Sequence, residues 1–410
     1  MVNVARADSK KMPGFVAGNR VEMFSDDKAS LAGMLKDIEA AKNKIQFESF
    51  LFNGEDGGAI ADALIEKHKQ GVKVEVLLDK KAQKLDHEKL ANRLRAGGVE
   101  VRYYDTSKLK MSAIAVDHTK LAVFDGKIGW EGGANFDTEI NRDLMSRIQG
   151  PAVRDVQKIF VDAWNLAGAK EKKKEESLDP APSVQGDVFI RVTETSPGKD
   201  TSHDAALQQL KDLKKGDSLD LWMMDLGDHD VIAEMLAAKK RGAELRVMLD
   251  YSAPFADKLG PAKKVAEKLV GGTPDLYAVN ELQKVGVDVR YYQAPEGITK
   301  LHSKVAIFTY HDQVKKEEGT TESVPRRELM TGSTNWIKGA FEFNHEMAAT
   351  MKGGDAGDQV LKFFEEDWKA HSYPAPQPKG FFDKVKTNLI KGLTDTFVMN
   401  DSQESDTRRV

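Results

Sequence analysis

The chain contains no cysteine among its 410 residues, which excludes disulfides, thiol nucleophiles and thiolate metal sites. It has no run near the roughly 18–20 consecutive apolar residues that a membrane-spanning helix requires. A basic excess is also missing, since the net charge is −4, and this argues against a protein whose main task is to coat nucleic acid. With 40% hydrophobic residues, the composition is that of a soluble globular protein long enough for two domains.

The N-terminus lacks the apolar segment of an intact signal peptide. Its opening VARADSKK (4–11) is compatible with the remainder left around a small-residue cleavage site. This favours a secreted, periplasmic or peripheral-membrane location over a cytoplasmic one.

Several phrases recur in the same order in the two halves of the chain, which indicates a tandem duplication. The repeated pairs are QGVKVEVLLD (70–79) with RGAELRVMLD (241–250), GVEVRYYD (98–105) with GVDVRYYQ (286–293), and DVQKIFVDAW (155–164) with QVLKFFEEDW (359–368). Short β-branched runs alternate with helical spacing, the pattern of β-α-β units. The predicted fold class is α/β, with two tandem domains, each a mostly parallel sheet flanked by helices, packed as a pseudo-two-fold dimer in one chain.

Composition sets the expected boundaries. The first domain is predicted over 1–168, a charged and proline-containing linker over 169–187, and the second domain over 188–371. QVKKEEGTTESVPRR (313–327) is expected to be a charged loop inside the second copy. The remainder, 372–410, is interpreted as an amphipathic segment and a disordered tail. The apolar stripe of this segment is expected to pack on the domain and not on a membrane. It comprises Phe382, Val385, Leu389 and Leu393.

The segment VDHTKLAVFDGKIGWEGGAN (116–135) places polar residues at the head of an apolar run. His118 and Lys120 are two residues apart on an expected strand, so both side chains leave the same face. The segment continues with an aspartate and ends in turn residues: Asp125, Gly132, Gly133 and Asn135.

The second half repeats this arrangement. KLHSKVAIF carries His302 and Lys304, and MTGSTNW follows after the charged segment with Gly332, Ser333 and Asn335. A single His-x-Lys pattern is weak evidence for function. Two copies in the same context of a duplicated fold indicate a functional site.

On these motifs the chain resembles the phospholipase D superfamily, whose members carry two His-x-Lys motifs with a following aspartate and a Gly-Gly or Gly-Ser signature before an asparagine. The resemblance covers most of the chain, from about residue 18 to 371. The first half is similar to cardiolipin synthases in HTKLAVFDGKIGWEGGANF, RYYD and RDLMSRIQGPAVRDVQ. The second half, with GSTNWIKGAFEFNHE, is more similar to general phospholipase D-like hydrolases.

These residue types suit the cleavage of a phosphodiester, an anion with a poor leaving group. A neutral histidine can attack phosphorus while a protonated one donates to the departing alkoxide. Lys120 and Lys304 can stabilise the phosphate charge, and further hydrogen bonds can come from glycine amides and from Asn135, Asn335 and Ser333.

The resemblance implies a covalent phosphohistidine, with His118 as nucleophile and His302 as acid and then base, although the residues alone leave that order open. It implies no metal or cofactor, and the sequence offers no Asp/Glu/His set with ligand spacing. Each histidine should have a carboxylate partner. Glu346 matches the acidic residue that follows the second motif in this superfamily, and Asp143, with Glu139 in reserve, is the candidate in the first half.

Two positions depart from the family pattern. Thr309 stands where Asp125 stands in the first copy, and that aspartate is usually interpreted as supporting local structure. Gly133 replaces a serine, and Gly-Gly variants also occur in the family.

The resemblance predicts a phospholipase D-like enzyme that acts on glycerophospholipids at a membrane surface, by hydrolysis or by phosphatidyl transfer to an alcohol. A nuclease of the same superfamily is the alternative. The duplication argues against the smallest such nucleases, which form their site by dimerising, and a monomer with internal pseudo-symmetry is expected. A third alternative is an inactive phosphate-binding module, favoured only by Thr309.

Overall fold

The computed structural model describes residues 12–82, 87–107, 115–137, 139–168, 178–196, 199–251, 275–316 and 320–376. The opening VARADSKK segment and the C-terminal stripe around Phe382 lie outside these residues, so both interpretations stay predictions. None of the helices in the described part of the chain is long and apolar enough to cross a membrane.

The first half alternates strands and helices before it ends in three short strands and a helix. Its elements are β1 (Val16–Phe24), α1 (Asp27–Ala40), β2 (Lys44–Ser49), α2 (Gly54–Lys69), β3 (Lys73–Asp79), α3 (His87–Ala96), β4 (Glu100–Tyr104), β5 (Leu121–Phe124), β6 (Ile128–Gly132), β7 (Met145–Gln149) and α4 (Val153–Leu166).

The second half repeats this order with small additions. Its elements are β8 (Val188–Ser196), β9 (Lys199–Asp200), α5 (Thr201–Asp212), β10 (Ser218–Met223), α6 (His229–Arg241), β11 (Glu244–Leu249), α7 (Leu276–Lys284), β12 (Asp288–Tyr292), β13 (Lys304–Lys315), β14 (Thr321–Gly332), α8 (Lys338–Glu342), β15 (Glu346–Lys352), α9 (Ala356–Ala370) and β16 (Ser372–Pro374). The domain boundaries remain predictions, and β16 joins the sheet just beyond the expected end of the second domain.

Local sequence accounts for several helix ends. Asp26 caps α1 by accepting a hydrogen bond from the Ala29 N–H at 2.8 Å, and Asp228 caps α6 in the same way through Val231 N–H. Helix α6 stops at Gly242, whose φ of +95° is the left-handed conformation that glycine adopts at little cost. The predicted turn glycine of RGAELRVMLD is therefore a helix terminator before β11.

One sheet runs through both halves in the order β16-β12-β11-β10-β13-β14-β15-β8-β1-β7-β6-β5-β2-β3-β4, with β9 on the side of β8. The halves join where β1 pairs antiparallel with β8. Because the order on one side of this seam mirrors that on the other, the fold is the expected α/β tandem with internal pseudo-two-fold symmetry.

The strand directions correct one detail of the sequence interpretation. Among the strands of the described residues, parallel pairing joins β2, β3 and β4, and β10, β11 and β12, the strands linked by helices. The central strands pair antiparallel, so each half is mixed and not mostly parallel. The reason is that few residues separate β5 from β6 and β13 from β14, and a parallel pair needs a much longer crossover connection.

The charged segment 313–327 is also different from the expected loop. Strands β13 and β14 continue as a paired ribbon out to Lys315 and Thr321, and most side chains of its distal half are exposed. Alternating β-branched and polar residues such as Val314 and Val324 are compatible with such a ribbon.

Helices cover both faces of the sheet. Helices α1, α2 and α3 pack on one face of the first half, and α5, α6 and α7 pack on the corresponding face of the second. Helices α4 and α9 share the opposite face in one apolar core that includes strands of both halves. The two repeated phrases ending in Trp164 and Trp368 thus build a common core, which fixes the halves against each other.

Candidate active site

The two His-x-Lys motifs lie at the points where the central strands begin. His118 and Lys120 directly precede β5, and β13 starts at Lys304. Each lysine Nζ donates a hydrogen bond to the backbone carbonyl of the histidine in its own motif, at 2.8 Å for Lys120 and 2.6 Å for Lys304. In both copies the histidine precedes the strand on which the sequence places it.

Each motif pairs with a segment from the other half. The His118 N–H donates to the carbonyl of His345 at 2.9 Å, and the His302 N–H donates to the carbonyl of Arg142 at 3.0 Å. The residues that follow these carbonyls are Glu346 and Asp143. The fold thus delivers to each histidine the carboxylate of the opposite half.

His118 is held by Glu346. Its Nδ1 lies 3.1 Å from Glu346 Oε2 and 3.2 Å from the carbonyl of Ser333. The same carboxyl group accepts hydrogen bonds from Ser333 Oγ at 2.5 Å and Asn344 Nδ2 at 3.0 Å. Burial raises the pKa of Glu346 to about 7 even though Lys120 and these donors lower it.

His302 is held by Asp143 more closely. Its Nδ1 lies 2.5 Å from Asp143 Oδ2. Burial alone would raise the pKa of Asp143, but His302, Lys304 and the Leu144 N–H outweigh it and leave that pKa below its usual value. Asp143 is therefore an ionised carboxylate beside His302 at neutral pH. The reserve candidate, Glu139, lies 3.6 Å from Lys300 instead.

The histidines face each other across the pseudo-symmetry axis. Their ring centroids are 6.4 Å apart and the ring planes are inclined by 63°. The charges of Lys120 and Lys304 both lower the pKa of Glu346. The two histidines and the two lysines therefore lie close together in one small region. The histidines, lysines, Asp143 and Glu346 are all buried, an environment in which charge interactions are stronger than in water.

The turn glycines serve this arrangement. Gly132 and Gly332 have nearly the same φ, +156° and +155°, and a Cβ at either would overlap the next strand's backbone. A Cβ at Gly133 would overlap Asp143 Oδ1. The glycine at position 133 therefore fits its surroundings. In the first half the short Asp143 side chain occupies the space that a serine side chain would need, whereas in the second half the longer Glu346 leaves room for the Ser333 hydroxyl.

The two asparagines occupy corresponding buried turns. Asn135 and Asn335 follow the Gly-Gly and Gly-Ser pairs. Asn335 Oδ1 accepts a long hydrogen bond, 3.4 Å, from the Asp225 N–H. This contact orients the Asn335 amide within the turn.

Asp125 lies away from the histidines and supports local structure. It has φ of +52° and accepts hydrogen bonds from the backbone N–H groups of Lys42, Asn43 and Lys44 at 2.7–2.9 Å. In the second half a carboxylate comes from the other side of this contact. Asp217, which directly precedes β10 as Asn43 precedes β2, accepts hydrogen bonds from the His311 and Lys214 N–H groups. Thr309 therefore removes no group from the site.

A buried polar cluster beside the site escaped the sequence interpretation. Glu48, Asp117 and His345 bring one donor atom each within 4.8 Å of the others. They come from three distant segments, so no spacing rule could group them. A difference between the two copies is the sequence feature that could have indicated this cluster. Asp117 directly precedes His118 and His345 directly precedes Glu346, whereas the equivalent positions hold Leu301 and Arg142.

Comparison with known proteins agrees with this geometry. The family model described as "Cardiolipin synthase, PLD-like domain" matches residues 34–164 and 207–368, which is most of the chain and both motifs. The chain belongs to this phospholipase D-like family. The resemblance drawn from the motifs is thereby confirmed.

Individual relatives in this phospholipase D-like family match to different extents. The major cardiolipin synthase of Bacillus subtilis is 33% identical over 166 residues, 37% of this chain and 34% of that protein. Cardiolipin synthase A of Pseudomonas aeruginosa is 25% identical over 370 residues, 86% of this chain and 68% of that protein. Against the Bacillus protein and similar relatives, the chain spans half or less of the relative's length.

Solved structures share the fold. The phosphatidylserine synthase of Haemophilus influenzae matches with a TM-score of 0.61 at 11% identity and covers 95% of this chain and 96% of that one. A polyphosphate kinase of Porphyromonas gingivalis matches with a TM-score of 0.56 at 14% identity over 92% of this chain and 53% of its own. At these identities the likeness concerns the fold of the tandem phospholipase D-like domains.

Proposed function

We propose that this chain is a phospholipase D-like enzyme that transfers the phosphatidyl group of a glycerophospholipid to an alcohol or to water. The observation that carries the proposal is the pair of facing imidazoles, each held through Nδ1 by a carboxylate of the opposite half. With Nδ1 occupied in this way, Nε2 of each ring is the nitrogen that serves the substrate. The cardiolipin synthases among the relatives favour a phospholipid over other phosphodiesters.

The difference between the two carboxylates supports distinct roles for the histidines. Asp143 is ionised and lies 2.5 Å from His302 Nδ1, so a full negative charge orients the His302 ring. Glu346, with its pKa near 7 and hydrogen bonds from Ser333 and Asn344, offers less negative charge to His118. We therefore assign His118 as the neutral nucleophile and His302 as the general acid.

The proposed reaction has two balanced steps. The Nε2 lone pair of His118 forms a bond to phosphorus as the bond from phosphorus to the leaving alcohol oxygen breaks, and that oxygen takes the proton from His302 Nε2. His302, now neutral, accepts the proton of water or of an acceptor alcohol as its oxygen attacks phosphorus and the N–P bond breaks. Both histidines return to their starting states.

The remaining residues stabilise charge. Lys120 and Lys304 balance the negative charge on the non-bridging oxygens, and the Ser333 hydroxyl and the amides of Asn135 and Asn335 are proposed donors to the same oxygens. Gly132, Gly133 and Gly332 allow the backbone to approach closely. Asp125 is proposed to support structure only.

The test is phosphatidyl transfer from phosphatidylglycerol or phosphatidylcholine vesicles in the presence of a short primary alcohol. Wild type is expected to form phosphatidyl-alcohol or release the head group, and His118→Asn and His302→Asn are expected to lose this by at least about 10³-fold. Single-stranded DNA is the parallel substrate. Degradation of DNA without turnover of lipid would favour the nuclease alternative, and lipid binding without turnover would favour the binding module.

A further inference from the structure

The cluster of Glu48, Asp117 and His345 is the part of the molecule that the proposed chemistry leaves unused. All three side chains are fully buried, with exposures of 0–1%. Glu48 is on β2, Asp117 directly precedes His118, and His345 comes from the second half beside Glu346. The cluster therefore lies at the seam between the halves, behind the His118–Glu346 pair.

The polar atoms of this cluster face one another, and the Glu48 and Asp117 carboxyl groups lie within hydrogen-bonding reach of each other. Neither Glu48 oxygen accepts a hydrogen bond of normal geometry from a donor in the described residues, and the same holds for Asp117 Oδ2. His345 Nε2 lies 3.2 Å from Glu48 Oε1 yet is not aligned as a hydrogen bond. Burying two carboxylates so close together is costly unless protons or a bound cation offset their charge.

The pseudo-symmetric position in the other half holds no carboxyl group. Trp222, Leu301 and Arg142 stand there in place of Glu48, Asp117 and His345. The Arg142 guanidinium lies 4.9 Å from the Trp222 ring centroid and donates to Asp367 Oδ2 at 2.7 Å. One half thus carries a positive charge of its own at this point, and the other carries two carboxyl groups and an imidazole.

We propose that Glu48, Asp117 and His345 bind a divalent transition-metal cation, Zn²⁺ or Mn²⁺, as a structural clasp between the two halves. One imidazole and two carboxylates are ligands that both ions accept. On a tetrahedral ion, donor atoms lie about 3.4 Å apart, close to the 3.2 Å that separates His345 Nε2 from Glu48 Oε1, and Asp117 offers an oxygen within 4.8 Å of both ligands. The ring of His345 is held by stacking on Tyr104, with centroids 5.2 Å apart.

Such an ion stabilises the fold and takes no part in bond breaking. Because the ligands are buried, it enters as the halves come together during folding. By holding Asp117 and His345 it fixes the backbone on which His118 and Glu346 stand. The inference does not depend on the substrate of the site.

The experiment measures metal content and unfolding. Full-length protein expressed in metal-supplemented medium is analysed by elemental mass spectrometry, then unfolded with chelator and refolded with Zn²⁺, Mn²⁺, Mg²⁺ or Ca²⁺. We expect close to one Zn²⁺ or Mn²⁺ per chain and a Tm a few degrees higher than that of protein refolded without metal.

Variants separate this site from chance binding. Glu48→Gln and His345→Gln are expected to lose the metal and the Tm increase, whereas Glu131→Gln, a matched change of a buried carboxyl group on β6, keeps both. If the wild-type protein holds no stoichiometric metal after either expression in metal-supplemented medium or refolding with metal, the proposal is overturned. In that case the two carboxyl groups and the imidazole share protons instead. Retention of the metal in Glu48→Gln overturns it as well, because the ion is then bound elsewhere.

Discussion

His118 and His302 occupy equivalent positions yet rest against unequal carboxylates, one a glutamate 3.1 Å away and the other an aspartate at 2.5 Å. The repeated His-x-Lys spacing in the two halves singles out both histidines and both lysines as candidates. It selected Glu346 and Asp143 only with help from the family resemblance. The distances and the unequal ionisation depend on burial and on contacts between halves, which no local pattern contains.

Asp143→Asn tests the assigned acid. We expect kcat to fall by about 10- to 100-fold with a smaller change in KM, because the ring of His302 loses its orienting anion. Steady-state phosphatidyl transfer on vesicles provides both constants. Glu139→Gln is the control, since Glu139 contacts Lys300 rather than His302; an equal loss in that variant would contradict the assignment of Asp143.

Gly133→Ser tests the asymmetry of the two turns. The substitution copies the second half, but its Cβ would overlap Asp143 Oδ1 and displace the carboxylate from His302. A displacement of this kind is expected to lower kcat by at least about 10-fold while the protein remains folded. Activity equal to wild type, with circular dichroism unchanged, would show that Asp143 is not held as described.

At the scale of elements, the repeated phrases predicted the helices and the outer parallel strands, because β-α-β units carry clear periodicity. The central strands β5, β6 and β7 are short and buried on both faces, so they lack the alternation that reveals an antiparallel strand. The sequence predicts a loop for residues 313–327, the distal part of the β13–β14 ribbon, because this segment is charged. Long-range pairing decided these elements.

Asp125→Ala tests the strand-end contact in the first half. Loss of three backbone hydrogen bonds is expected to lower the free energy of unfolding by about 1–3 kcal/mol, measured by urea denaturation. Partial burial raises the pKa of the Asp125 carboxyl group, but the three backbone N–H groups lower it by more, so the pKa in the folded protein is below its ordinary value. Asp125 therefore stabilises the fold at pH values above the pKa of the unfolded chain, and this stabilisation is lost as the pH falls through the folded-state pKa.

Asp217→Ala is the matched variant in the second half and should cost somewhat less, because Asp217 accepts two backbone hydrogen bonds, from Lys214 and His311, where Asp125 accepts three. Thr309→Asp should add little stability, since Asp217 already fills that role. A large gain from Thr309→Asp would contradict this account of the exchanged carboxylate.

Glu131→Gln tests the buried carboxyl group of β6. Burial raises the pKa of Glu131 from 4.5 to about 7, although Ser146 lowers it. The folded protein therefore holds this proton more tightly than the unfolded chain, and stability falls as pH rises from about 4.5 to about 7 and is then level. The variant should lose this part of the pH dependence, up to about 3 kcal/mol, when urea denaturation is compared at pH 5 and pH 8. An unchanged pH dependence would contradict the raised pKa.

At the scale of the whole molecule, each half supplies a histidine and the carboxylate that holds the other half's histidine. The complete site is thus contained in one chain, and we predict an active monomer of about 45.4 kDa. Light scattering under assay conditions measures the mass, and specific activity should not depend on protein concentration. Activity that falls on dilution together with dissociation of a dimer would contradict this prediction.

The central claim is a phosphatidyl transfer through a covalent bond to His118. The most direct measurement uses phosphatidylglycerol labelled at phosphorus, with turnover quenched in alkali, in which phosphohistidine survives, and the label located by peptide mapping. We predict that the label is found on the peptide that contains His118, and that the His118→Asn variant carries no label. Label on His302, or an active enzyme without any labelled histidine, would contradict it.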